Sequence, residues 1–391
     1  MGRAFVAGVA MVPFTKPSAG ATYDAMGADA ARDALADAGV GYDAVEQAYV
    51  GFVYGDSTSG QQALYKVGVT GIPIVNVNNA CATGSTALFL ARQAVASGAV
   101  DVALALGFEQ MQNGALGVQS TDRPTIMEKH FEVLARADDD DPAAPMAARL
   151  FGGAGAEYLK TYDAKPDLFA RVAEKARRHA GANPFAIFRD PLTTEQILAS
   201  PPVFGVLTRL QCCPPTSGAA AAVIVSERFA KANPGRYVEI VAQAMRTDPQ
   251  SSFEGGLMRA VGADMARAAA DAVYAEAGIG PEDVDVLELH DCFTTNEVLT
   301  YEALGIAEEG GAERFVRDAQ NTYGGRIVTN PSGGLLSKGH PLGATGLAQC
   351  AELTWQLRGD ADQRQVAGAR VALQHNIGLG GACVVTMYKA A

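Results

Sequence analysis

The chain has 391 residues, 48% of them apolar and 19% charged, which excludes a disordered or fibrous protein and leaves room for two or three domains' worth of buried core. Its 31 Lys and Arg against 43 Asp and Glu give a net charge of -12, which opposes binding to nucleic acid or to an anionic membrane. The apolar N-terminal run is too short for a membrane span and has no signal-cleavage pattern. With six cysteines (Cys81, Cys212, Cys213, Cys292, Cys350 and Cys383) and no C-x2-C spacing, this fits a reduced, cytoplasmic setting without membrane insertion.

Periodicity predicts a strand over 4–12, a helix over 23–39, strands over 46–55 and 72–79, a helix over 82–97 and a strand over 101–109. After a middle segment the order returns: a strand from Tyr237, a helix over 258–278, a strand over 284–290, helices over 293–304 and 343–358, and strands at "RVALQHN" and "ACVVTMY". This is an α/β pattern around a largely buried sheet. The two runs align directly: "AARDALADAGVGYDAVEQAYVG" (30–51) superposes on "AADAVYAEAGIGPEDVDVLELH" (269–290) at a shift of 239. "ATGSTALFLARQ" (82–93) likewise echoes "ATGLAQCAELTW" (344–355), so each half has a matching Ala- and Gly-rich helix start. The expected division is 1–116 plus 205–234 for the first half, an inserted loop domain over 117–204, and 235–391 for the second half. The insert carries a solvated aspartate run at 138–141. Its basic amphipathic helix lies in a stretch (160–189) of net charge +4, which suits either an anionic ligand or a solvated face.

Cys81, in "NNACATGSTAL", is placed where a buried strand meets a helix N-terminus, whose unpaired amides and dipole favour a thiolate. It is a candidate nucleophile, although a free cysteine is often a small core residue. The strand over 284–290 ends in "HDCF", putting His290 and Cys292 at the C-terminal edge of a sheet, where α/β proteins bind ligands. His340 precedes the helix that echoes the Cys81 helix, so a pseudo-twofold would bring it near Cys81. "HNIGLGGA" (His375, Asn376, Gly378) offers unhindered amides suited to an oxyanion. Three of the five histidines fall in these loops, but the spacing of His290, Cys292, His340 and His375 matches no zinc pattern, and no metal is expected. Nucleotide-binding fingerprints are absent.

Taken together, "NNACATGSTAL", "HDCF", "NPSGGLLSKGHPLGATG" and "HNIGLGGA" resemble the catalytic loops of thiolases of the sterol-carrier-protein-x type, and the resemblance covers the whole chain. It implies a five-layered αβαβα fold of two duplicated halves with an inserted loop domain, in a homodimer or homotetramer. It also implies 3-oxoacyl-CoA thiolase chemistry, with acyl-CoA as substrate, coenzyme A as co-substrate and no tightly bound cofactor. By motif, Cys81 takes the acyl group, His340 is its base, and His290 holds the enolate oxygen together with His340. Most thiolases have a second cysteine where this chain has Asn376, so Cys292 assumes the acid/base role. The amides of Cys81 and Gly378 form the oxyanion site, with Asn376 and His375 in support. Arg177, Arg178 and Ser337 are the expected coenzyme A contacts. A ketosynthase-like decarboxylating enzyme is disfavoured by Cys292. A steroid or branched side-chain CoA aldolase is disfavoured because Cys292 and His340 are both retained. A non-catalytic lipid carrier is disfavoured because no separate carrier segment is expected after residue 391.

Overall fold

The computed structural model describes residues 2–17, 19–112, 122–137 and 144–391; the aspartate run at 138–141 lies outside them. Ten strands form one continuous sheet: β1 (Ala4–Met11), β2 (Gln47–Gly51), β3 (Ile74–Val77), β4 (Val102–Glu109), β5 (Gly218–Ser226), β6 (Val238–Arg246), β7 (Val286–Glu288), β8 (Val328–Thr329), β9 (Val371–Gly378) and β10 (Ala382–Ala390). Their order, β3-β2-β4-β5-β1-β6-β10-β9-β7-β8, reads the same from either end once β1 is matched with β6, β2 with β7, and so on. The halves join where β1 and β6 pair antiparallel at Phe5–Glu239 and Val6–Val238. The sequence duplication is thus a duplication of topology.

The main helices are α1 (Tyr23–Ala38), α2 (Thr83–Ala96), α3 (Met146–Tyr162), α4 (Asp167–Ala180), α5 (Ala263–Ala277), α6 (Thr294–Ala303) and α7 (Thr345–Arg358). α1 and α5 stop at Gly39 and Gly278, both left-handed, with φ of 64° and 63°. These two glycines keep the 239-residue offset of the repeat. α1 buries Met26, Ala30 and Ala34 against Leu104, Leu106 and Val223 on one outer face. α2 and α7 lie between the two half-sheets, where Ala87, Ala91, Leu347 and Ala351 share a cluster with Ala105 and Ala222 of one half and Ala372 and Tyr388 of the other. α5 and α6 cover the far face with Ala266, Ala269 and Val298. The layers therefore run α-β-α-β-α.

The structure departs from the sequence reading in several places. The helix expected over 258–278 is broken: Leu257–Ala260 forms one turn, Gly262 takes φ 104°, and α5 starts afresh at Ala263. β2 and β3 are shorter than expected. β5 was not predicted, because four alanines dilute the strand signal of Val223, Ile224 and Val225; its burial between β1 and β4 makes the whole run a strand. The inserted segment has only a small apolar cluster of its own, Ala170, Ala173 and Ile197, and most of its buried side chains join a larger one. Val133, Leu150, Phe151, Leu168 and Val172 belong to the same apolar cluster as Leu257, Ala266 and Val298. A buried ion pair, Lys175 Nζ to Glu297 at 2.6 Å, ties α4 to α6.

Candidate active site

The loops after β3, β7 and β9 and the N-termini of α2 and α7 converge at one edge of the sheet. Cys81 sits just before α2, on a backbone held by its neighbours. Asn78 Oδ1 accepts the Ala80 N–H (3.1 Å), and the Thr83 hydroxyl accepts the Asn79 N–H (2.8 Å) while donating to the Ala80 carbonyl (2.6 Å). These bonds hold Ala80 in the left-handed region at φ 46°, a conformation costing about 1–2 kcal/mol for a residue with a Cβ. The paired asparagines therefore fix the approach to the thiol. α2 and α7 meet closely here: a Cβ on Gly84 would lie 2.7 Å from the Gly343 carbonyl oxygen, so only glycine lets the two helix starts touch.

That contact delivers His340. Its backbone N–H donates to Thr216 Oγ1 (2.6 Å) and its Nδ1 lies 2.7 Å from Thr345 Oγ1. The single hydroxyl hydrogen of Thr345 goes to the Pro341 carbonyl (2.9 Å), so Thr345 must accept from Nδ1–H. Nε2 is left as a bare lone pair, buried and without a partner. His290 has the opposite arrangement: Asn376 Nδ2 lies 2.9 Å from its Nδ1, which leaves the hydrogen on Nε2. The two rings are 5.0 Å apart, edge to face, and Cys81 Sγ and one ring nitrogen of each histidine all lie within 4.8 Å of one another.

Burial pushes the Cys81 thiol up to about 12, with the nearby Glu109 carboxylate adding to the shift, against smaller lowering by the amides of Cys81 and Leu379. Burial also lowers His340 to about 3 and takes His290 well below its ordinary value, the neighbouring His340 and His375 contributing. The helix end expected to yield a thiolate is outweighed by desolvation, and the resting pair is a thiol beside a neutral imidazole. Glu109 is itself raised to about 7 by burial; it accepts the amides of Val53, Tyr54 and Gly343 at 3.0–3.1 Å, binding the two halves together beside the nucleophile.

Cys292 is buried, and desolvation raises its thiol well above the usual range, with Cys213, Cys81 and Asp291 as further causes. Cys213 is a third thiol at the site, opposite Cys292 across a short antiparallel bridge in which its N–H donates to the Cys292 carbonyl at 2.9 Å. In sequence it was only one of two adjacent cysteines. Asp291 has a structural task, accepting the Leu335 N–H (2.7 Å) to dock the "NPSGGLLS" loop. Sequence reasoning also missed Glu109, Thr216 and Thr345, since their value lies in contacts between distant segments.

Other expected residues fall elsewhere. His375 is on the face of β9 opposite Asn376, lining a small cavity with Val261, Ala266 and Leu299; it reaches the site only through a 3.5 Å contact of Nδ1 with the His290 amide. The alternation of a strand separates the two. Gly378 packs against the Asn79–Ala82 turn, and the amide after it, that of Leu379, faces the Cys81 sulfur. Arg177 is buried and stacks on Phe188 with its guanidinium 4.3 Å from the ring centroid, whereas Arg178 is exposed and donates to Thr322. The basic stretch is therefore not one charged face. Ser337 is buried, with its hydroxyl unpartnered.

Models of the thiolase N-terminal domain and of the thiolase C-terminal domain-like region match residues 4–196 and 256–388. The chain belongs to the thiolase family. Among thiolase relatives, sterol carrier protein 2 of Rattus norvegicus is 54% identical over 393 residues, covering 99% of this chain and 72% of the relative. The solved Ltp2-ChsH2(DUF35) aldolase matches with a TM-score of 0.83 at 25% identity, over 100% of this thiolase chain and 98% of that one. Human mitochondrial 3-ketoacyl-CoA thiolase in complex with CoA gives 0.74 at 20% identity, over 100% and 98%, a likeness of fold.

Proposed function

We propose that this chain is a 3-oxoacyl-CoA thiolase that cleaves its substrate with coenzyme A, or runs the reverse condensation, through an acyl group on Cys81. The observation that carries this reading is the meeting of Cys81, His290 and His340 within 4.8 Å, with one imidazole holding a bare Nε2 and the other an Nε2–H. Cys81 Sγ attacks the 3-oxo carbon as its proton passes to His340 Nε2, so a neutral resting pair suffices. The C2–C3 bond then breaks, and the electron pair left on C2 is stabilised as an enolate whose oxygen takes a hydrogen bond from His290. The protonated Cys292 supplies the proton that completes acetyl-CoA. In the second half the Cys292 thiolate takes the proton of the incoming coenzyme A thiol, which attacks the acyl-cysteine, and His340 returns its proton to Cys81. A cysteine suits this cycle because its thioester stays energetic enough to pass the acyl group on. Each amide at the oxyanion position, from Cys81 and the Gly378–Leu379 turn, is worth about 3 kcal/mol when preorganised.

Arg177, Arg178 and Ser337 are the proposed coenzyme A contacts, and of the three Arg178 is exposed. The edge strand β3, unpaired on its outer side among the described residues and with Val75 exposed, supports assembly as a homodimer or homotetramer. The aldolase neighbour motivates a second reading, carbon–carbon cleavage without acyl transfer; retention of Cys81, Cys292 and His340 favours thiolysis. The test is steady-state cleavage of acetoacetyl-CoA and longer 3-oxoacyl-CoA esters with and without free coenzyme A. Coenzyme-A-dependent turnover that Cys81→Ala abolishes is expected; normal turnover by that variant would sink the assignment.

A further inference from the structure

A buried chain of hydrogen bonds runs along one face of β9 into the site. The Gln374 side-chain nitrogen donates to the Gly346 carbonyl (2.7 Å) and to Ser85 Oγ (2.9 Å). A backbone carbonyl only accepts, so the amide nitrogen of Gln374 must face it, and the Gln374 oxygen accepts from the Tyr388 hydroxyl on its other side. Ser85, having accepted from Gln374, donates its one hydrogen to Asn376 Oδ1 at 2.8 Å. Asn376 is thereby oriented with Nδ2 toward His290 Nδ1 at 2.9 Å. If Asn376 were flipped, Ser85 Oγ would face two donors and its own hydrogen would lose its acceptor. All of these groups are buried.

We propose that Gln374 and Ser85 are positioning residues that, through Asn376, lock His290 in the Nε2–H tautomer, and that this lock keeps the Cys81–His290–His340 cluster from capturing a transition metal. The cluster has the donor set of a three-ligand zinc site, its ligand atoms within 4.8 Å of one another. A metal on His290 Nε2 needs the hydrogen moved to Nδ1, where it would meet the N–H of Asn376 instead of an acceptor. The same tautomer makes His290 an oxyanion donor while His340 remains a base, so two chemically identical rings take opposite roles. The catalytic half of this inference rests on the proposed thiolase reading; the tautomer and metal measurements do not, and they stand even if no thiolysis is found.

The test uses the full chain labelled with 15N-histidine, in which ring nitrogen shifts report the tautomer of each of five histidines. Wild-type His290 is expected as Nε2–H and His340 as Nδ1–H. Asn376→Asp, whose carboxylate accepts from Nδ1–H, should switch His290 and raise Zn2+ affinity about 10- to 100-fold, read by direct Zn2+ titration. Ser85→Ala, which frees Asn376 to turn, should give a mixture of His290 tautomers; it serves as the second variant if Asn376→Asp fails to fold. A wild-type His290 carrying its hydrogen on Nδ1 overturns the proposal. So does a pair of variants with wild-type tautomer and wild-type Zn2+ affinity.

Discussion

Replacing Thr345 with valine keeps the shape of a fully buried side chain and removes one hydroxyl. In the native site that hydroxyl accepts from His340 Nδ1–H at 2.7 Å, and nothing else is in place to take the hydrogen. A buried donor left without an acceptor costs about 1–3 kcal/mol. Moving the hydrogen to Nε2 brings no relief, because Nε2 is also buried without a partner, and the loss weighs most when His340 takes the Cys81 proton and the imidazolium Nδ1–H has no acceptor. That cost is added to the barrier for proton transfer, so kcat should fall roughly 5- to 150-fold, the range those energies imply. KM for the acyl-CoA should change little, because the hydroxyl does not touch the substrate. Thr345→Ser, which restores the acceptor, should recover most of the loss. The assay is steady-state thiolysis alongside the melting temperature. A valine variant that folds normally and keeps more than half of wild-type kcat would refute the argument that Thr345 sets the base.

Two further outcomes follow from the same site. Cys292→Ala should abolish exchange of the α-protons of acetyl-CoA in deuterated water while leaving Cys81 able to accept an acyl group; unimpaired exchange would move the acid/base role to another residue, Cys213 first. Stability should depend on pH with a defined sign. His179, His340 and His375 are held near 3, so the unfolded chain binds more protons below about pH 6.5 and each costs about 1.4 kcal/mol per pH unit on acidification until about pH 3. Glu109 and Asp291, raised to about 7, act oppositely, binding protons in the folded state and stabilising it between about pH 7 and 4. With His290 also lowered, the carboxylates offset only part of the histidine cost down to about pH 4.5. Below about pH 4 that compensation is gone, and Asp24 and Asp167, held below the ordinary range by their hydrogen bonds and ion pairs, add to the histidine cost, so urea midpoints should drop most steeply there; a decline that does not steepen below about pH 4 would contradict the assignment of these buried groups.

The duplication, most elements of both halves and the meeting of Cys81 with His340 were legible in the sequence because repeated motifs and periodicity are local signals. A shift of 239 residues between two A-G-[VI]-G segments already implied matched strands, and the palindromic sheet order is its consequence. What was not legible depends on partners distant in the chain. The alanine half of β5 is strand by position, not by propensity. Lys175 and Arg177 look like surface charges in "VAEKARRHA", yet one meets Glu297 in the interior and the other stacks on Phe188. His375 and Asn376 are adjacent in sequence, and alternation along β9 sends them to opposite faces. The expectation of a resting thiolate failed for a related reason: a helix start is visible in sequence, but the desolvation that overrides it is not.

The central claim is that Cys81 carries the acyl group. Mass spectrometry of peptides from enzyme acid-quenched during turnover of acetoacetyl-CoA tests it most directly. An acetyl thioester on the peptide containing Cys81, lost on adding free coenzyme A, is the predicted result. Acetylation of Cys213 or Cys292 instead, or turnover without any acylated cysteine, would contradict the account.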